Sequence, residues 1–170
     1  MIDTIRLVLF LDCNMHCSYC CNKQEQFSSQ FKRMKFEEID FSKYKNVCIS
    51  GGEPFLNKFK ILYNVLNKIP QDKNIYIYTN GTKISAYDIW HLKQIKNLKC
   101  INIGIHTPKQ LSKITTIETE LPVRFMIPTH LKAKVLKTYQ ARLMPCNIKI
   151  FKINECDMPN EDWVLLEDKL

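Results

Sequence analysis

NVCISGGEP, residues 46–54, sets a short apolar run directly against two glycines, an acid and a proline. Valine, isoleucine and cysteine suit a pleated, buried strand, and the glycine pair interrupts it. Proline fits the first turn of a helix, where a missing N–H costs nothing. The stretch therefore reads as strand, tight turn and helix start. The helix follows: Phe59, Leu62, Leu66 and Ile69 fall on one stripe, and Pro70 ends it.

The same alternation recurs along the chain. Strands are expected at 5–10, 46–50, 74–79, 100–105, 123–127 and 148–153. Most are nearly continuously apolar, which predicts strands covered on both faces, as in a parallel sheet with outer helices. Between them, Ser85 and Asp88 form a capping box before Ile89, Leu92 and Ile95, while Leu131, Val135, Tyr139 and Leu143 recur every fourth residue. Residues 108–121 read as a further helix despite the β-branched Thr115, Thr116 and Ile117. Six strand-helix units predict an α/β fold, an incomplete (β/α)6 parallel barrel, because a full eight-stranded barrel takes about 250 residues. One domain over 1–170 is expected, with 154–170 a C-terminal tail whose Trp163 and Leu166 cover the barrel edge.

Composition narrows the chemistry. The 170 residues, 45% of them hydrophobic, suffice for one core. No run approaches the roughly 18 apolar residues of a membrane span, and Asp3, Arg6 and Asp12 interrupt or bound the N-terminal apolar run without a signal-peptide pattern. The expectation is a soluble, cytoplasmic protein with reduced thiols, in which eight cysteines point to metal or redox chemistry rather than disulfides. The net charge of +8 comes mainly from lysines, 21 of 25 basic residues, scattered singly. Such lysines read as a solvated surface, with an anionic substrate or partner as the alternative.

The cysteines cluster in DCNMHCSYCC, residues 12–21, with the spacing Cys13-x3-Cys17-x2-Cys20. Three thiolates on a loop after the first strand can ligate three corners of a cubic iron–sulfur cluster and leave the fourth iron open. Zinc, completed by His16 or Cys21, is the other reading of the same residues. The four glycines, Gly51, Gly52, Gly81 and Gly104, all fall at or near C-terminal ends of expected strands. Parallel α/β proteins place ligands there.

CNMHCSYC, with Tyr19 just before its last cysteine, resembles the signature loop of radical S-adenosylmethionine (SAM) enzymes. GGEP at 51–54 matches that family's second motif, and TNG at 79–81 is similar to segments in several of its branches. The resemblance runs from about residue 5 to 107. It implies a [4Fe-4S] cluster on Cys13, Cys17 and Cys20, with SAM chelating the open iron. An electron from a donor such as flavodoxin or ferredoxin then cleaves the sulfur–C5′ bond, and the 5′-deoxyadenosyl radical takes a hydrogen atom from the substrate. Carried over, Tyr19 lies against the adenine, and Gly51, Gly52 and Glu53 meet the methionyl end, Glu53 accepting from the ammonium.

Thr79 and Asn80 are candidate ribose or carboxylate contacts, with a plain Asn-Gly turn as the alternative. His106 is a candidate ribose contact or a structural histidine, His130 has the same two readings, and Asn154 is placed to reach the adenine. His91 reads as surface, and Arg124 lies too early in its strand for a role. Cys21 follows a ligand and points elsewhere. Cys48 and Cys100 read as small hydrophobes, and Cys146 and Cys156 receive no role.

Three functions follow: a single-cluster radical SAM enzyme for a small or nucleotide-like, anionic substrate; an activase that installs a radical on a partner protein; and a noncatalytic zinc- or cluster-binding module. An open barrel also needs a cover, and residues 21–41 are expected to supply a mobile one.

Overall fold

The computed structural model describes residues 2–56, 59–114, 117–118, 120–143, 146–152 and 161–167. In chain order they form β1 (Thr4–Val8), α1 (Glu25–Ser28), β2 (Lys32–Met34), β3 (Asn46–Ser50), α2 (Phe59–Lys68), β4 (Asn74–Thr79), α3 (Ala86–Leu92), β5 (Leu98–Gly104), β6 (Val123–Pro128), α4 (Lys132–Leu143), β7 (Asn147–Phe151) and β8 (Glu161–Leu166). All strands pair in parallel in one open sheet of order β2-β8-β1-β3-β4-β5-β6-β7. The chain is thus α/β with an unclosed parallel sheet, as expected for a partial barrel. The six expected strands are its contiguous core, and β8 and β2 extend it beyond β1.

The faces of the sheet differ. Ile5, Leu7, Val47, Ile49, Ile75, Ile77, Ile101, Ile103, Phe125 and Ile127 are each at most 1% exposed. They pack with Leu62, Val65 and Leu66 of α2, Ile89 and Leu92 of α3 and Val135 of α4 in one core. The intervening residues, in register across neighbouring strands, are Arg6, Cys48, Tyr76 and Cys100, then Tyr78, Asn102 and Arg124. The strands therefore alternate with period two. One face is a helix-covered apolar layer and the other a mixed inner face. The expected cover on both faces is found, since Arg6, Cys48, Cys100 and Asn102 on the inner face are buried as well, but that face is mixed in character rather than apolar.

Local signals at the helices were followed in part: Pro54 lies in a turn ahead of α2, α3 stops at Leu92 short of Ile95, and two further departures are larger. Ser85 and Asp88 close their capping box, Ser85 N–H donating to Asp88 Oδ2 at 2.7 Å. The first larger departure is α4, whose backbone is non-helical at Tyr139 (φ −126°, ψ 25°). The second is the segment expected as a helix from 108, which starts as a 3-10 turn, Pro108–Lys113.

Residues 21–41 correct the expectation of a mobile cover. Phe31 is buried and stacks on Trp163 at 5.1 Å, β2 pairs with β8, and Phe36 and Ile39 enter the core. From Phe31 onward the segment is scaffold, because its aromatics find apolar partners. The tail residues Trp163 and Leu166 belong to strand β8, which is paired on both sides, between β2 and β1, and is not a cover laid on the edge.

On the inner face, Arg6 is 2% exposed and forms a bidentate pair with Glu161, Nε to Oε2 at 2.7 Å and Nη2 to Oε1 at 3.1 Å. Its guanidinium lies 4.3 Å from the Tyr78 ring centroid and 4.8 Å from that of Trp163. A buried charge is tolerated when paired, and removing its partner leaves the full desolvation penalty. Glu161→Ala is expected to lower stability by about 3 kcal/mol in urea unfolding, whereas Glu120→Ala, which removes an exposed partner of Lys93, costs less than about 1 kcal/mol. Equal losses would show that the buried pair is not what ties β8 to β1.

Candidate active site

The rim at the C-terminal ends of the strands is built by close backbone approach. Leu9 N–H still pairs with Ser50 O, after which Gly52 N–H donates to Phe10 O at 2.6 Å and Glu53 N–H to Asp12 O at 2.8 Å. Gly51 has φ +120°, and a Cβ on either glycine would run into the Phe10 or Asp12 carbonyl. The glycine pair thus lets the turn after β3 hang from the root of the cysteine loop. The N–H groups of Gly52 and Glu53 are both used in this way. The Gly51 carbonyl in turn accepts from Asn22 Nδ2.

Glu53 is the fixed point of the rim, with no exposed surface. Its carboxylate accepts from Thr79 Oγ1 at 2.6 Å, Asn80 N at 2.8 Å and Phe55 N at 3.2 Å. All three donors are uncharged. Burial pushes its pKa above the usual carboxylate range against the pull of those hydrogen bonds.

Asn80 carries the connection onward. Its Nδ2 donates to Asn14 Oδ1 at 2.9 Å and lies 3.9 Å from Cys13 Sγ, while its Oδ1 accepts from Thr82 N and Oγ1 at 3.0 and 2.6 Å. Gln110, 3% exposed, donates to Asn80 O and Gly104 O, both at 2.6 Å, and accepts from His106 N at 2.7 Å. One buried amide therefore braces the ends of β4 and β5.

Cys13, Cys17 and Cys20 are half-buried and line a single cavity of about 340 Å³ together with Tyr19, Gly51, Gly52, Glu53, Thr79, Asn80 and His106. Cys13 Sγ accepts from Met15 N at 3.3 Å, and Cys20 N–H turns back to Cys17 O at 3.3 Å. Burial raises the Cys13 and Cys17 thiols, and each is raised further by Cys20. Assembling three thiolates here calls for positive charge, which iron ions of a cluster supply. No other cysteine among the described residues lines the cavity. Among the described residues no group of three or more His, Cys, Asp and Glu side chains is arranged around a single metal ion. His16 is exposed and is not among the residues that line the cavity. The donor set fits a cluster with one open corner.

Tyr19 Oη lies 2.7 Å from His106 Nδ1, closing one side of the cavity. Burial, followed by the nearby Cys17 and Cys20, pushes the Tyr19 pKa up to about 12. Burial lowers that of His106, whose ring packs over Gly104, so both rings stay neutral near pH 7. His130 is exposed on the 3-10 turn Thr129–Leu131 and does not line the cavity. Asn154 and Cys156 lie outside the described residues, as does the Cys21 side chain.

The sequence reading missed Asn14, Gln110, Asn102 and Ser50. Asn102, 2% exposed, lines the cavity with its Nδ2 unpartnered, and Ser50 Oγ is unpartnered there too. Period-two alternation back from Gly104 would have put Asn102 on the inner face. Nothing local marks Gln110.

An open parallel sheet whose C-terminal rim gathers three thiols beside a buried carboxylate is an α/β fold of the partial-barrel class. The family match makes the assignment specific: residues 7–143 match the Radical SAM superfamily, and the chain belongs to it as an enzyme of the radical SAM type. It is 31% identical over 147 residues to the GTP 3′,8-cyclase of Clostridium perfringens (strain SM101 / Type A), covering 79% of this chain and 44% of that protein. A GTP 3′,8-cyclase of Clostridium acetobutylicum is 31% identical over 145 residues, 77% of this chain and 44% of the relative. A probable GTP 3′,8-cyclase of Methanococcus maripaludis (strain C6) is 32% identical over 128 residues, 67% and 40%. The chain spans less than half the length of these relatives. Among the described residues no helix is long and apolar enough to cross a membrane.

A buried neutral histidine sets a pH dependence. The folded pKa of His106 is depressed, so its contribution to stability is present above the ordinary value near 6.5 and is lost as pH falls below it. Urea unfolding at pH 7.5 and 5.5 should show a loss that shrinks in His106→Gln. An unchanged pH dependence in that variant would assign the loss to other groups.

Proposed function

We propose that this chain is a single-cluster radical SAM enzyme that removes a hydrogen atom from a small, anionic, nucleotide-like substrate. The observation that carries the reading is the shared cavity. Three thiols stand on one side, and on the other a fully buried carboxylate meets only uncharged donors. A carboxylate pushed up by burial gains most from a cation, and SAM brings an ammonium.

Cys13, Cys17 and Cys20 would hold a [4Fe-4S] cluster, which when loaded supplies the electron that cleaves SAM into methionine and the hydrogen-abstracting 5′-deoxyadenosyl radical. Glu53 orients the methionyl end by accepting from its ammonium, and Thr79 and Asn80 fix that carboxylate. Tyr19 and His106 wall the adenosyl side and exclude water. Asn102 Nδ2 and Ser50 Oγ offer the cavity a donor and a hydroxyl for a polar ligand group. Nucleotide chemistry for the substrate is supported by the GTP-directed names of the relatives and by the chain's positive charge.

Anaerobic reconstitution with iron and sulfide is expected to give a brown protein with one cluster. Cys13→Ala, Cys17→Ala or Cys20→Ala should abolish it, and Cys21→Ala should not. Stoichiometric zinc in freshly isolated protein, with no uptake of iron, would defeat the proposal.

Glu53→Gln keeps the side-chain volume but removes the charge. SAM affinity is expected to fall at least about tenfold, the scale of one charge-assisted hydrogen bond, with cluster absorbance unchanged. Wild-type affinity should also weaken as pH falls through the raised Glu53 pKa, because the protonated acid cannot pair with the ammonium. Isothermal titration across pH that gives parallel curves for both proteins would remove Glu53 from SAM binding.

A further inference from the structure

We propose that a lysine-lined cleft behind the cysteine loop is the docking point of an acidic, one-electron carrier protein. The inference rests on the proposed reductive SAM chemistry and assigns the place where its electron enters. The cleft, about 440 Å³, is a second cavity beside the thiol cavity. Lys83, from the turn after β4, and Lys109 and Lys113, from the 3-10 turn after β5, line it with Asn14 and Met15 of the cysteine loop. Among the described residues no acidic side chain lines it.

Its charge is uncompensated. Lys32, Lys43, Lys68, Lys73 and Lys93 each have an acidic partner within 4.0 Å. Among the described residues, Lys83, Lys109 and Lys113 form no ion pair, and all three are exposed. Three unpaired cations around one concavity attract an acidic surface and accelerate its approach, more strongly at low salt.

Position separates an electron donor from a substrate. Met15 lies between Cys13 and Cys17 in sequence and lines both cavities. Gln110, which also lines the cleft, donates to the carbonyl of Asn80, a residue of the thiol cavity. None of the three thiols lines the cleft, so a small molecule in it would not lie among them. An electron needs no opening, only proximity to the loop. In the step assigned here the carrier is oxidised by one electron and the cluster reduced by one, with no bond made or broken and no proton moved.

Flavodoxin, an acidic flavoprotein, is the probe. Its binding is titrated at low and high salt on protein with and without reconstituted iron, and reduction of the loaded protein by flavodoxin hydroquinone is followed by anaerobic stopped flow. In K83E/K109E/K113E, binding and reduction are expected to fall at least about tenfold at low salt and the salt dependence to flatten. Photoreduced deazaflavin, a small reductant, should reduce both proteins equally, and SAM affinity should not change. Flavodoxin rates within twofold of wild type would overturn the proposal. So would micromolar binding of inorganic tripolyphosphate that the variant loses while flavodoxin binding persists, which marks a small-anion site. A chain that takes up no iron strikes the SAM reading alone, because flavodoxin binding to iron-free protein still decides this one.

Discussion

The rim of this molecule depends on a carboxylate that has lost all contact with bulk water. Burying Glu53 without hydrogen-bond donors would cost several kcal/mol, so the fold brings donors from two directions, Phe55 in its own turn and Thr79 with Asn80 at the end of β4. That requirement fixes the height of β4 against β3. Asn80, once fixed, holds Asn14 and approaches Cys13. The thiol loop is therefore placed by a chain of hydrogen bonds that begins at the acid. The same acid holds the loop's root through its own N–H to Asp12, and only glycines at 51 and 52 allow the backbones so close.

The sheet serves this rim by separating two environments. One parity of residues gives a helix-covered layer of isoleucine, valine, leucine and phenylalanine, which supplies the cohesion. The other parity faces inward and need not be apolar, so it can carry Tyr78, Asn102 and Met126 to the cavity and Arg6 to the pair with Glu161. An open sheet with a mixed inner face can offer polar groups to a ligand without spending core residues on them. Asn102 illustrates the arrangement: its strand neighbours Ile101 and Ile103 are fully buried in the core.

How much of this could be read from the sequence depended on whether the signal was local. The strands at 46–50 and 74–79 were legible residue for residue, because β-branched runs end in glycine or Asn-Gly turns. Cys13, Cys17, Cys20, Tyr19, Gly51, Gly52, Glu53, Thr79, Asn80 and His106 all lie at one cavity, since motif order after successive parallel strands dictates a common rim, while His16 and His130 do not line it. What the side chains do there was harder to read. Thr79 and Asn80 were weighed as ligand contacts, yet their polar atoms are used on Glu53, Asn14 and Thr82; sequence gives residue type and level, not the partner chosen. β2 escaped notice because KRM has no apolar run, and β8 because its four-residue run WVLL, set between acidic residues, reads as an amphipathic tail. Gln110 escaped because its three partners sit on two other elements.

The strand order has a consequence for how the chain reaches this state. β1, β3, β4, β5, β6 and β7 can assemble progressively, each beside a strand already present. Among the described residues β2 pairs only with β8, which lies more than a hundred residues further along. During synthesis, residues 32–34 leave the ribosome early and must wait for 161–166 before they have a partner. Arg6 waits too, its guanidinium without Glu161 until the same moment. Such long-range closure is slow, because the loop entropy is lost before the contacts form. When β8 pairs, an inner-face charge, an aromatic stack and an early strand become ordered together.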